Sequence, residues 1–309
     1  MGKLKSFKKL MKQGGKRRLI IAFWKTLCLT GITNILPDKA YLQLSYRAFF
    51  GKKLDLNCPT TFNEKVHWLK LHDRNPDYVK MVDKIAVKEY VSDVIGDQYI
   101  IPTLGEYNSF DEIDFDILPN TFVLKCNHDS GSIVICRDKE HFNKKLARKK
   151  LTKALREDFF LKGREWPYKL VKRKIFAEKY MEDDNKQELT DYKVFCFNGK
   201  VKCTHVCSER FSADGPKFAF YDTDWKIMPF EYHYPKPKCL HQRPKNYDKM
   251  VIFAEKLSKG IPLLRVDFYE VGEKIYFGEL TFHPGSGLLE FRPEEWDKTL
   301  GSWISLGTS

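Results

Sequence analysis

At 309 residues, with 42% hydrophobic and 14% aromatic content and no low-complexity tract or internal repeat, the chain is too long and too apolar to be a disordered or disulfide-stapled miniature. It has room for two or three lobes, each with its own core. The net charge of +13 is concentrated: residues 1–37 carry nine Lys/Arg and no Asp or Glu, so 13 − 9 leaves +4 for the body. That mild balance, without basic residues interleaved with aromatics in a known module, argues against nucleic acid as a partner.

The basic arm spans residues 1–37 (Lys3, Lys5, Lys8, Lys9, Lys12, Lys16, Arg17, Arg18 and Lys25). Its apolar run Leu19–Trp24 is cut by Lys25, short of the roughly 20 apolar residues that cross a bilayer. A secretory leader would show a small-x-small cleavage site, which is lacking, and scattered cysteines argue against export. The remaining readings are a basic amphipathic segment on an anionic cytoplasmic membrane surface, a solvated arm, or a partner-binding helix. The expected location is cytoplasmic, peripheral on the inner face of the membrane if the first reading holds.

Residues 38–80 read as helical, with Thr60 or Thr61 and Glu64 spaced as a capping box. Asp83–Val91 has helical apolar spacing, and Ile100–Leu104 reads as a short strand with an edge proline. Phe122–Cys126 and Ile133–Cys136 read as strands around the polar turn Asn127–Ser132. Lys139–Leu161 reads as a basic helix or two, and Lys174–Met181 as a strand before an acidic loop at Glu182–Asp184. Asp191–Phe197 and Lys200–Val206, joined by Asn198–Gly199, carry the strongest hairpin signal in the chain. Residues 247–259 return to helix. Leu264–Tyr269 and Ile275–Phe282 form a second hairpin around Gly272–Lys274. Segregated helix and antiparallel strand predict an α+β fold.

None of the eight cysteines forms a CxxC pair. Cys203, His205 and Cys207 share one strand face, but successive same-face residues lie about 7 Å apart, too spread for tetrahedral zinc. Core packing is the better reading.

Asp267 and Glu279 sit amid apolar residues on the two strands of the last hairpin. Buried carboxylates are costly, so a facing pair suggests a metal site; a solvent-facing Asp and Glu on an ordinary hairpin is the alternative. The Pro284–Gly285–Ser286–Gly287 turn adds amides able to hold an anion. Ser130–Gly131–Ser132 is a small turn between strands whose amides could fold over phosphates, with Lys125 alongside as a point charge.

The order of these segments resembles the ATP-grasp superfamily, with spacing across 83–287 similar to D-alanine–D-alanine ligase. The phrases Thr61–Lys65, Phe122–Ser132, Asp191–Gly199 and Phe277–Thr281 resemble more closely the TupA-like ATP-grasp family of teichuronopeptide and surface-polysaccharide biosynthesis. The resemblance implies two α+β lobes with antiparallel sheets clasping ATP, preceded by the basic helical segment. The divisions expected are the arm at 1–37, an N-terminal lobe at 38–120, a small lobe at 121–182 and a large lobe with the metal site at 183–309. It implies ATP and Mg²⁺ as cofactors. Lys84 and Lys125 would contact phosphates under the Ser130–Gly131–Ser132 loop. Glu178, Lys179 and Met181 would line the adenine slot, and Asp191 would be the ribose acid. Asp267 and Glu279 would hold the metal, Arg265 would neutralise the transferring phosphoryl group, and the Pro284–Gly287 turn would bind the acceptor. The superfamily commonly has Asn where this chain has Thr281, a shorter neutral ligand that puts a second metal in doubt.

The implied activity is an ATP-dependent carboxylate–amine ligase working through an acylphosphate, with a small-molecule or glycan carboxylate and an amine as partners, in capsule or cell-envelope polysaccharide biosynthesis of a bacterium. His128 or His283 would take the amine proton. Two alternatives stay open. One is a phosphotransferase on a sugar hydroxyl. The other is a glycosyltransferase, for which Asp222–Thr223–Asp224 has a metal-binding form that reads equally well as a turn. The aromatic-rich segment 208–245 is the expected specificity insert.

Overall fold

The computed structural model describes residues 15–182, 189–208, 215–232 and 234–307. The basic residues before position 15, and Asp183 and Asp184 of the acidic loop, lie outside them. Helix α1 (Lys16–Thr30) ends at Gly31 in the left-handed conformation and packs on α2 (Asp38–Phe50) around Trp24, Tyr41, Leu42 and Tyr46. The predicted helical arm is therefore present from Lys16. Helix α3 (Phe62–His72) opens with the expected capping box: Thr61 accepts from the Glu64 amide, and Glu64 Oε2 accepts from the Thr60 and Thr61 amides at 3.0 Å each.

After α4 (Tyr78–Val82), helix α5 (Val87–Ile95) starts four residues later than its apolar spacing suggests. The Asp83 carboxylate accepts from the Ile85 amide at 2.8 Å, which favours a turn there. Strand β1 (Thr103–Tyr107) likewise begins after Pro102 rather than at Ile100. It lies antiparallel to β4 (Ile175–Lys179), which pairs β2 (Phe122–Cys126), which pairs β3 (Val134–Cys136), giving a four-stranded sheet. Helix α6 (Lys144–Arg156) covers it through Ala147, Leu151 and Ala154, and the short α7 (Phe160–Gly163) follows. Because β1 joins this sheet, the small lobe expected from 121 draws on chain from 103 onward.

The second sheet runs β10 (Lys274–Thr281), β9 (Leu263–Val271), β5 (Asp191–Phe197), β6 (Lys200–Ser208) and β7 (Lys217–Tyr221), all antiparallel. One face is covered by α4, α5 and α8 (Tyr247–Leu257), with Val87, Val91, Met250 and Ala254 in the core. The other is covered by α3 and by α9 (Glu295–Ser302), with a ribbon of β8 (Glu231–Tyr232) and β11 (Phe291–Arg292). Burial on both faces explains why β5 and β9 read as near-continuous apolar runs instead of alternating. Helices α3, α4 and α5 thus supply cores to the large sheet, while α2 packs with α1.

Candidate active site

A cleft of about 150 Å³ lies between the two sheets. From the small sheet it receives Lys125 on β2, Lys84 from the turn before α5, and the 129–132 loop; from the large sheet it receives Asp191 and Lys193 on β5, Asp267 on β9 and Glu279 on β10. Tertiary folding thus brings together most of the expected phosphate and metal residues.

The loop is fixed at its base. Asn127 Oδ1 accepts from the Lys174 amide at 2.8 Å, and its Nδ2 donates to the Lys172 carbonyl at 2.9 Å. Ser132 Oγ donates to Asp129 at 2.6 Å and accepts from the Cys126 amide at 3.0 Å, so this hydroxyl holds the turn. Ser130 and Gly131 remain exposed at the tip, where a Gly131 φ of 98° needs glycine. Lys84 Nζ donates to the Asp129 carbonyl, tying α5 to the loop. His128 is buried and turns to α6, its Nε2 3.3 Å from the Ala154 carbonyl. It does not line the cleft, contrary to the proton-acceptor role expected for it, and burial holds its pKa below the usual imidazole value.

Glu178, expected at the adenine slot, has a buried carboxylate 2.7 Å from Lys88 Nζ and 2.6 Å from Lys125 Nζ, and so orients a lysine that lines the cleft. Burial opposes its ionisation, but Lys125 and Lys88 together hold its pKa below the usual carboxylate range. Lys179 is exposed, and its amide donates to the Pro102 carbonyl at 3.0 Å, which leaves Tyr180 and half-buried Met181 as the first backbone free of the sheet.

The acidic wall is a five-membered charge cluster. Arg265 grips Asp267 with two prongs, Nε–Oδ1 and Nη2–Oδ2, each 2.7 Å, and Nη2 reaches Glu279 Oε1 at 2.7 Å. Lys193 Nζ lies 2.6 Å from Asp267 and 2.5 Å from Asp191. Asp191, expected as the ribose acid, stands at the charged wall beside Asp267. Burial would lower the pKa of Arg265, yet Asp267 and Glu279 raise it on balance; Lys193 is raised in the same way by Asp191 and Asp267. A bulge sets the pairing: register shifts between Phe277 and Glu279, bringing Glu279 opposite Asp267. Gly278 suits the bulge, where a Cβ would lie a tight 3.1 Å from the Asp267 carbonyl oxygen. Thr281 Oγ1 is 3.4 Å from Glu279 Oε1.

Among the described residues no three His, Cys, Asp or Glu side chains converge as a closed metal site. Two carboxylates on one cleft wall, opposite two lysines, fit a cation that brings phosphate oxygens of its own.

The Pro284–Gly287 turn is built from left-handed residues, Gly285, Ser286 and Gly287 at φ 56°, 56° and 68°. One face of α3 cradles it. Asn63 clasps the Leu289 backbone, Nδ2 to carbonyl 2.8 Å and Oδ1 to amide 2.9 Å. His67 sits where a Cβ on Gly287 would meet its Nδ1 at 2.5 Å. Lys70 Nζ donates to Ser286 O at 2.8 Å, Ser286 Oγ at 2.7 Å and Gly163 O at 2.7 Å. Burial drives the Lys70 pKa down to about 8, against the pull of Glu165. His283 is buried beside Glu165, Nδ1 to Oε2 3.6 Å, and burial outweighs that carboxylate to keep its pKa low. Asn63, His67 and Lys70 follow helical i, i+4, i+7 spacing. That spacing was legible in the sequence, but Asn63 there read only as part of a helix start. Lys88, Lys193 and half-buried Tyr168, whose ionisation is pushed up by burial, Glu165 and Glu279, also escaped the sequence reading.

Two open motifs resolve into structure. Asp222 Oδ1 accepts from the Asp224 and Lys226 amides at 3.0 and 2.8 Å, so Asp222–Asp224 is a side-chain-capped turn. His205 stacks on Phe220 at 4.8 Å with Tyr232 at its edge, inside an aromatic core with Cys203 buried nearby.

The family model described as TupA-like ATP-grasp matches residues 64–305. No curated protein matches the chain. Among solved structures, the chain resembles D-alanine–D-alanine ligase of Bacillus anthracis complexed with ATP at 15% identity and TM-score 0.39, covering 66% of this chain and 55% of that one. It resembles an ATP-grasp RimK domain protein of Sphaerobacter thermophilus at 10% identity and TM-score 0.40, covering 75% and 70%. The ATP-grasp ligase PsnB, with Mg and ADP, aligns at 10% identity and TM-score 0.43, covering 88% and 71%. The chain thus spans little more than half of the Bacillus anthracis ligase.

Proposed function

This chain belongs to the TupA-like ATP-grasp family, and from that premise we propose that it is an ATP-dependent carboxylate–amine ligase. The observation that carries the reading is the cleft itself: Lys84 and Lys125 beneath an exposed Ser130–Gly131 tip, facing the Asp267–Glu279 pair. Such an arrangement suits a polyphosphate, whose charge the lysines balance while the loop amides donate to its oxygens. Asp267 and Glu279, with Thr281 beside them, would hold Mg²⁺, which when bound neutralises phosphate charge.

The division of labour follows from the side chains. Glu178 and Lys88 keep Lys125 aimed into the cleft. Arg265, held between Asp267 and Glu279, would balance the charge of a phosphoryl group in transfer. The acceptor carboxylate takes the γ-phosphoryl group, giving an acylphosphate and ADP; an amine then displaces phosphate, forming the amide and losing its proton. The Pro284–Gly287 turn, immobilised by Asn63, His67 and Lys70, is the candidate acceptor platform. The acceptor we propose is an acidic surface polysaccharide or its precursor, and the amine an amino acid or related compound.

The test is ADP release from Mg-ATP across a panel of uronic-acid glycans and amino acids, with product masses. ADP formed only when carboxylate and amine are both present, with a product lighter than their sum by one water, supports the ligase. A phosphorylated acceptor would reassign the chain to phosphotransfer, and absence of ATP binding would remove the reading altogether.

A further inference from the structure

We propose that α1 and the turn after it form a docking surface for an anionic lipid bilayer, lying on it rather than crossing it. Trp24 and Cys28 on one side of α1 face the body, packed toward Tyr41. At 3.6 residues per turn, Phe23 and Leu29 fall away from that inner side. They are 63% and 75% exposed, and the following turn presents Ile32 at 60% and Ile35 at 84%. Other exposed apolar side chains, such as Ile117 and Leu170, lie elsewhere on the surface; here four large ones fall within thirteen residues of one basic segment, which marks a binding surface.

The charge around them selects the occupant. Residues 1–37 carry nine Lys/Arg and no acid. On the helix, Arg18 and Lys25 are seven residues apart and fall in one row beside Leu29. Several acids of the adjoining body are already in ion pairs: Asp38 with Arg164 at 3.5 Å, Glu157 with Lys162 at 2.7 Å and Asp158 with Arg173 at 3.4 Å, while Glu290 pairs with Arg17 of the helix itself at 3.5 Å. A basic segment with a projecting apolar rim suits lipid phosphates at the level of the cations and acyl chains at the level of Phe23 and Ile35. A second protein with an acidic apolar groove would use the same rim, and the experiment separates the two. No helix among the described residues is long and apolar enough to span a membrane, so the contact is with one leaflet.

The test is sedimentation of the full chain with vesicles of phosphatidylcholine alone or mixed with phosphatidylglycerol. Binding to the anionic vesicles is expected, weaker by about tenfold or more as NaCl rises from about 0.1 M to about 0.5 M, with little binding to phosphatidylcholine. A Phe23→Ser/Leu29→Ser variant, altered only at exposed positions, should keep its melting temperature and lose vesicle binding. Equal affinity of wild type and variant, no binding to anionic vesicles, or a concentration-dependent dimer abolished by the same substitutions would overturn the proposal.

Discussion

Arg265 and Asp267, two residues apart on β9, form a two-pronged ion pair with both N–O distances at 2.7 Å. Side chains at i and i+2 share a strand face, so the pair is local, yet its consequence is not: the same guanidinium crosses to Glu279 on β10. Asp267 is thereby bound to Arg265 and Lys193 while facing the cleft. Removing its charge leaves Arg265 with Glu279 and Lys193 with Asp191, two cations each short of one carboxylate in a largely buried site. Asp267→Asn is expected to lose ATP turnover by about a hundredfold or more and to cost about 3 kcal/mol in stability, read by ADP release and urea unfolding. An unchanged ADP rate would remove Asp267 from the chemistry.

Glu178 accepts from Lys125 Nζ at 2.6 Å, and on the proposed function it acts through that lysine. Glu178→Gln should weaken ATP binding by about tenfold, equivalent to about 1.4 kcal/mol, while kcat changes less; Lys125→Ala should do at least as much. The double variant should show little further loss than Lys125→Ala. Additive losses would mean that the two residues act separately.

The pH dependence of stability has two windows with opposite origins. Glu178 has a folded pKa below its ordinary value of 4.5, because Lys125 and Lys88 outweigh its burial. It stabilises the fold above that pH, and the contribution is lost as pH falls toward the lowered pKa. Lys70 has its pKa lowered from 10.5 to about 8 by burial. Between those values the unfolded chain holds more protons than the folded one, so stability should rise with pH across that interval. Lys70→Met should flatten the slope there in urea titrations at stepped pH; an unchanged slope would disprove the assignment.

The turn at 284–287 tolerates no side chain at its last glycine. Gly287 has φ 68°, and a Cβ would meet the His67 ring at 2.5 Å. Gly287→Ala should cost about 1–3 kcal/mol and reduce acceptor-dependent turnover more than ATP binding. Loss of nucleotide affinity without loss of acceptor use would place the turn elsewhere in the cycle.

Asp222→Ala removes a turn cap, not a ligand, if the capped geometry at Asp222–Lys226 is its whole role. The expected cost is about 1 kcal/mol or less of stability with ATP turnover unchanged. Metal-dependent nucleotide-sugar binding that disappears in this variant would revive the glycosyltransferase alternative.

The parts of this protein that its sequence determined by itself are those governed by local physics. The Asn198–Gly199 and Gly272–Lys274 hairpins, the Thr61–Glu64 capping box and the uncompensated charge of residues 1–37 each depend on neighbours within a few positions. The facing of Asp267 and Glu279 was legible because one hairpin carries both, though the Gly278 bulge that aligns them was not. Tertiary structure decided the partners of the buried charges. Glu178 reads as a strand-end carboxylate until β2 and α5 bring Lys125 and Lys88 against it. His128 reads as a cleft residue until α6 covers it, and Asp191 comes beside Asp267 only through the pairing of β5 with β9 and their shared Lys193. Lys70 meets Ser286, 216 residues later, only once the chain has folded. A charge taken from water must find an opposite charge or several oxygens, and which ones arrive depends on how distant elements pack.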